Sequence, residues 1–176
     1  MRYSMLLPLS ATLAGCKGRR RASGTRRVNP GPVSFTPDQW ATVEAASARL
    51  IPDDDGDPGA RQAQVVRYID RQLALPDFVG LRRMFDQGLR TLDRLAHPRS
   101  FTALTAAEQD AVLRRMERGV GRNRGASRFF RVLLTFTVEG FLCDPIYGGN
   151  HDGVGWRFIG FEPRAPRPVA PYRSST

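Results

Sequence analysis

The strongest constraint on the fold is one run late in the chain, Ala126 to Leu142. In it Phe129, Phe130, Val132, Leu133, Leu134, Phe136, Val138, Phe141 and Leu142 are all apolar. At 3.6 residues per turn these side chains occupy nearly the whole circumference of a helix. Such a helix is stable only when neighbours or a partner cover it. With about 17 residues, and with Arg128, Arg131 and Glu139 among them, it is a poor membrane span. The rest of the chain must therefore provide much of the cover.

That cover is also helical. Thr36-Pro37-Asp38-Gln39 has an N-cap threonine, a proline at N1 and a glutamine at N3 that completes a capping box. From there Trp40, Val43, Ala46 or Ser47, and Leu50 recur with the helical period until Pro52. A second helix is expected over Ala60 to Leu73, with Val65, Val66, Ile69 and Leu73 inward. A third runs from Val79 to Ala96 on Leu81, Met84, Phe85, Leu89, Leu92 and Leu95 or Ala96. Thr105-Ala106-Ala107-Glu108 is another capping box, opening a helix that buries Val112, Leu113 and Met116 and stops between Gly119 and Gly125. No segment alternates like a strand and no internal repeat is present. The expected fold is all-α, a small bundle-like array of about five helices over residues 35–161, followed by an irregular Gly-rich C-terminal loop.

The flanks differ in kind. Residues 1–15 combine Arg2 with the short apolar stretch MLLPLSATLAG, which reads as a signal peptide. Leu13-Ala14-Gly15 directly before Cys16 resembles a bacterial lipobox, so Cys16 is the expected lipidation site, anchoring the chain on the periplasmic side of a bacterial membrane. Residues 16–34 form a basic linker with Lys17, Arg19, Arg20, Arg21, Arg26 and Arg27, and residues 162–176 a Pro- and Arg-rich tail. The formal charge of +10 thus comes largely from a tail, whereas a nucleic-acid binder gathers basic and aromatic side chains on one folded surface. No nucleic-acid partner is expected. With Cys16 acylated, Cys143 has no partner for a disulfide, and its apolar neighbours make it a small buried hydrophobe.

Few residues offer chemistry. Asp53-Asp54-Asp55-Gly56-Asp57 is acidic, but its glycine comes too early for a calcium loop and position twelve is Gln64. It reads as a turn whose last aspartate helps start the next helix. His97 precedes Pro98 at a helix end, and His151 stands far from it, with no HxxxH or HExxH spacing for zinc. No serine sits in a G-x-S-x-G elbow, no CxxCH attaches haem, and the late glycines follow a helix in neither phosphate-binding pattern.

The late glycines belong to VEGFLCDPIYGGNHDGVGW, Val138 to Trp156. Asp144-Pro145 ends the preceding helix, because a residue before proline is driven out of the helical region. Gly148, Gly149, Gly153 and Gly155 permit unusual backbone conformations or close approaches, and Asn150 and Asp152 favour Asx-turns. Tyr147 and Trp156 are amphipathic anchors. The composition describes a loop held in one shape, either a surface for another protein or a structural cap over the bundle. Beside this stands the reading of an independent lipoprotein that binds a metal or small ligand through Asp53, Asp55, Asp57 or His151.

Thr137 to Phe161, with its Asp144-Pro145-x-Tyr147-Gly148-Gly149-Asn150 core followed by Gly155-Trp156, resembles the signature of the gluconate 2-dehydrogenase subunit 3 family. Arg49-Leu50-Ile51-Pro52, Pro58-Gly59-Ala60-Arg61 and Tyr68-Ile69-Asp70-Arg71-Gln72 are similar to its N-terminal part. The resemblance implies a non-catalytic gamma subunit with no cofactor of its own. Its large partner subunit would hold FAD and oxidise a sugar or sugar acid, and a multihaem cytochrome c subunit would carry haem c. It also implies that Glu139, Asp144, Pro145, Tyr147, Gly148, Gly149, Asn150, Gly155 and Trp156 shape the loop or bind the partner. Gamma subunits of the family carry a twin-arginine signal. Here the arginine triplet Arg19 to Arg21 follows the apolar run instead of preceding it, which places the binding role ahead of the co-export role.

Overall fold

The computed structural model describes residues 31–120 and 124–164. The leader, Cys16, most of the basic linker and the tail from residue 165 lie outside the described residues. All the acidic residues fall inside them, balanced by as many arginines, so the formal excess of +10 belongs to the outside segments.

Among the described residues six α-helices form the domain: α1 (Pro37–Leu50), α2 (Val65–Leu73), α3 (Val79–Ala96), α4 (Ala106–Arg118), α5 (Arg124–Leu142) and the short α6 (Val154–Phe158). No strand is present among the described residues, and the all-α expectation holds. Both capping boxes form as the sequence indicates. Thr36 Oγ1 accepts from the Gln39 amide while the Gln39 side chain accepts from Thr36, and Thr105 and Glu108 repeat the arrangement on α4.

Two boundaries differ from expectation. The second helix starts at Val65, not Ala60, because Gln64 sits in the left-handed region at φ 53° and residues 60–64 form turns. The late loop is also less irregular than its glycines suggest: it contains two 3₁₀ turns, Pro145–Tyr147 and His151–Gly153, and the sixth helix.

Helix α5 is the central element and packs against α1, α2, α3 and α4. Phe129 and Leu133 are fully buried, and the Phe85 ring of α3 meets Phe129 edge-on at 5.3 Å and Phe136 at 6.0 Å. The close approach of α3 requires Gly88, where any Cβ would run into the Phe129 ring. At the crossing with α1 the buried Thr137 hydroxyl lies between the Leu133 carbonyl (2.7 Å) and the Ser47 hydroxyl (3.2 Å). Cover is nevertheless incomplete: Leu134 is 38% exposed and Val138 42%.

Part of the supposed linker is fixed. Val33, Ser34 and Phe35 donate their backbone amides to the carboxylate of Asp70 on α2 at 2.7–2.8 Å. The Ser34 hydroxyl adds bonds to the carbonyl and carboxylate of the same residue. A buried carboxylate needs such donors, and Asp70 is only 2% exposed.

Candidate functional site

The site is the C-terminal end of α5 and the loop folded back over it. Any helix leaves its last carbonyls without intrahelical donors. Here the loop provides them. The Asn150 amide nitrogen of the backbone donates to Gly140 O at 2.7 Å, the Asn150 side-chain Nδ2 donates to Cys143 O at 2.8 Å, and Trp156 Nε1 donates to Leu142 O at 2.7 Å. Asn150 Oδ1 faces the other way and accepts the Gly155 amide at 2.8 Å, an N-terminal amide of α6. The side chain of Asn150 is completely buried.

Glycine is required twice by this closure. A Cβ at Gly149 would collide with the Gly140 carbonyl, and one at Gly155 with the Phe141 carbonyl. Three non-glycine features complete the bend. Asp144 caps the first 3₁₀ turn through a 3.1 Å bond from the Ile146 amide, Pro145 starts that turn, and Asn150 and Asp152 adopt left-handed backbone angles. The Asx-turn is thus made by Asp144. The side chain of Asn150 instead spans two helix ends, and Asp152 approaches the His151 ring at 3.4 Å on the exposed side. His151 anchors the loop through its backbone, donating to Ala63 O at 3.1 Å. Gly148, at φ 105°, packs against the Arg71 side chain.

The sequence-derived residues are therefore brought together, with distinct tasks. Asp144, Pro145, Gly148, Gly149, Asn150, Gly155 and Trp156 build the cap. Tyr147 is half-buried within it. Glu139 lies on the flank of α5, where it accepts a 3.0 Å bond from the Tyr68 hydroxyl. Burial, reinforced by Glu139, raises the Tyr68 phenol above its ordinary range. Cys143 donates weakly to Gly140 O at 3.6 Å, and burial pushes its thiol up to about 11. A thiol shifted that way is protonated at neutral pH and is a poor nucleophile.

Among the described residues no group of three or more His, Cys, Asp or Glu side chains is placed to hold a metal ion. The acidic turn uses its own carboxylates locally: Asp53 accepts the Gly59 amide at 2.7 Å and Asp54 the Asp55 amide at 3.1 Å. A cleft of about 520 Å³ between α3 and the start of α5 brings Asp77, Arg83 and Arg128 to its walls, with no histidine or cysteine. No helix among the described residues is long and apolar enough to cross a membrane.

What the sequence reading missed is the exterior of the cap. Phe158, Ile159 and Phe161 are about half exposed, with Phe158 edge-on to Phe141 at 6.1 Å and Phe161 against Trp156 at 5.3 Å. Three large apolar side chains in four consecutive residues fit neither a helical nor an alternating burial pattern, and that misfit is the legible signal. Asp70 was likewise read as one residue of a motif when it is a buried clamp.

Comparison with curated proteins and with solved structures gives no match. The family model described as Gluconate 2-dehydrogenase subunit 3 matches residues 37–163, a span that begins with α1 and ends just past the aromatic exterior of the cap, and the chain belongs to that family.

Proposed function

We propose that this chain is a non-catalytic small subunit of a periplasmic, flavin-dependent sugar or sugar-acid dehydrogenase complex. It binds the large FAD-containing catalytic subunit and assists its maturation, export or stability. The observation that supports this reading best is the division of the loop into two sides. The Asn150 side chain and the Trp156 indole N–H turn inward onto the ends of α5 and α6, while Phe158, Ile159 and Phe161 turn outward. Acid–base catalysis needs a titratable group presented to substrate with a pKa near the working pH. A rigid support carrying exposed aromatic side chains is instead the arrangement of a protein-binding hot spot.

Binding alone suffices for such a role. A subunit that recognises the folded flavoprotein and not its unfolded chain stabilises it by mass action, by about 2.7 kcal/mol at a hundred times Kd. FAD would be held by that partner and haem c by a multihaem cytochrome c subunit. Cys16, acylated after cleavage at Leu13-Ala14-Gly15, would tether the assembly to the membrane, with residues 17–32 as the spacer.

The test is recovery of the tagged full chain from detergent-solubilised native membranes, with mass spectrometry and an absorbance spectrum. Flavin bands and a larger protein in near-stoichiometric yield are expected, together with an acylated Cys16 peptide. A single protein without flavin, carrying stoichiometric metal, would instead establish an independent metal-binding lipoprotein.

A further inference from the structure

Five of the large apolar side chains left exposed by the fold lie on the second half of α5 or on the segment that ends α6 and follows it: Leu134, Val138, Phe158, Ile159 and Phe161. Helix geometry explains the continuity. Leu134, Val138 and Phe141 stand at i, i+4 and i+7 and share a face. Phe158 lies over Phe141, so the stripe passes from α5 onto α6. Beyond Phe158 it opens into a groove of about 480 Å³, lined by Val154, Arg157 and Phe158 from α6 and by Asp57, Pro58 and Gln62 from the acidic turn and the residues after it.

Charge says what fits there. The groove edge is the acidic turn, where Asp53, Asp54, Asp55 and Asp57 are all exposed, and Arg157 on the facing wall offsets only one of those four charges. The opposite end of the band carries the exposed Arg131, one turn before Leu134. An anionic lipid surface would be repelled by the aspartates. A protein surface that sets basic side chains against the turn and an acid against Arg131 would be held in one orientation, which is how charge confers specificity on an apolar contact.

Resting on the accessory-subunit reading, we propose that this band and groove are where the flavoprotein subunit docks. The groove takes an apolar side chain of that subunit flanked by lysine or arginine. The acidic run is then the orienting edge of the interface.

The experiment measures Kd between the full chain and the flavoprotein recovered from native membranes. Val138→Asp and Ile159→Asp each change a side chain at least 42% exposed, so melting temperature is expected to stay near wild type. Each should weaken binding by about tenfold or more, as truncating an interface anchor does. Asp57→Lys should weaken it about fivefold at low salt and less at high salt. Val79→Asp, on an equally exposed side chain at the start of α3, should stay within about twofold.

Unchanged affinity in both Val138→Asp and Ile159→Asp, with wild type binding normally, overturns the proposal and leaves the accessory role standing. Failure of wild type to bind any flavoprotein overturns the accessory role itself. Two further results also overturn the proposal: loss of binding to phosphatidylglycerol vesicles in the same variants would assign the band to lipid, and loss of a wild-type dimer would assign it to a second copy of the chain. Should Val138→Asp unfold, Ile159→Asp carries the test, since Ile159 lies beyond the last turn of α6.

Discussion

Asn150 and Asp70 are both polar side chains with almost no exposure, and both hold a flanking segment onto the bundle. They differ in what they meet. Asn150 stands between the carbonyl end of α5 and the amide end of α6, so it must donate to Cys143 O and accept from Gly155. Asp70 meets donors: three backbone amides and one hydroxyl from residues 33–35. An amide has both functions and an ionised carboxylate accepts only. The orphan groups of the backbone therefore decide which side chain each position takes, and the two residues are near-isosteres that cannot exchange.

The largest effect expected is from exchanging one of them. Asn150→Asp removes the donor to Cys143 O and sets an anion against that carbonyl in a site without water access. A cost of about 3–5 kcal/mol follows from an unsatisfied buried acceptor plus an unpaired buried charge. Urea unfolding at neutral pH measures it. The sign with pH is fixed: the new carboxyl can donate only when protonated, so its native pKa is raised above the unfolded value. The penalty is then small below about pH 4 and grows as pH rises through the native value. A penalty that stays constant with pH would mean that the loop opens and hydrates the new side chain, and the contrast with Asp70 would lose its basis.

Next in size is Gly155→Ala, which leaves the hydrogen-bonding groups untouched and tests whether the closure is steric as well as polar. The added methyl meets the Phe141 carbonyl, a backbone atom that cannot swing aside. Overpacking of this kind costs about 1–3 kcal/mol. Gly80→Ala on α3, where nothing lies within 4 Å, is the matched control and should be neutral or slightly stabilising. A Gly155→Ala effect no larger than that of Gly80→Ala would show that the backbone yields to the methyl and that contact with the Phe141 carbonyl is not what requires glycine.

These residues also show where the sequence was legible. Helical periods and two capping boxes located α1, α3, α4 and α5, because those signals are local and act within a few residues. The bend at Asp144-Pro145 was legible for the same reason. The double duty of Asn150 was not, since its partners Cys143 and Gly155 stand on two elements and the loop composition could not say which groups would face each other. Asp70 was hidden by an opposite effect: it lies on a helix, where an acid ordinarily reads as exposed, and its donors come from a stretch that reads as linker. The outward aromatics were present in the signature but took their meaning only when Trp156 proved to be engaged with Leu142.

Asp70→Asn should cost less than either change in the loop. One oxygen can keep the amides of Ser34 and Phe35, so only the Val33 amide faces an NH₂ group. About 1–2 kcal/mol is expected for that mismatch. The loss is local because the clamp holds the start of the domain, outside α1, and hydrogen exchange separates the cases. Faster exchange at Val33, with protection kept at Phe35 and in α5, supports a strap on an independently stable bundle. Global loss of protection would make Asp70 as central as Asn150.

The smallest effect comes from a pair that shares the clamp geometry but lacks the burial. Arg49 on α1 reaches Asp110 on α4 with two bonds, 2.7 and 3.0 Å, and both side chains are 27% exposed. Arg49→Ala is expected to cost only about 0.5–1 kcal/mol, because solvent screens the pair and stabilises the separated charges. Its penalty fades in acid like that of Asn150→Asp, but from the opposite pKa shift, a carboxyl lowered in the native wild type and not one raised in the variant. The hydrogen bond from Arg49 is the main cause holding the Asp110 carboxyl below its ordinary 3.8, so the pair contributes stability above that value and loses it as pH falls through the native pKa. The gap between wild type and Arg49→Ala should thus be full at neutral pH and close in acid. A gap as large as that of Asp70→Asn would mean that two-point geometry, and not burial, sets the strength of these clamps.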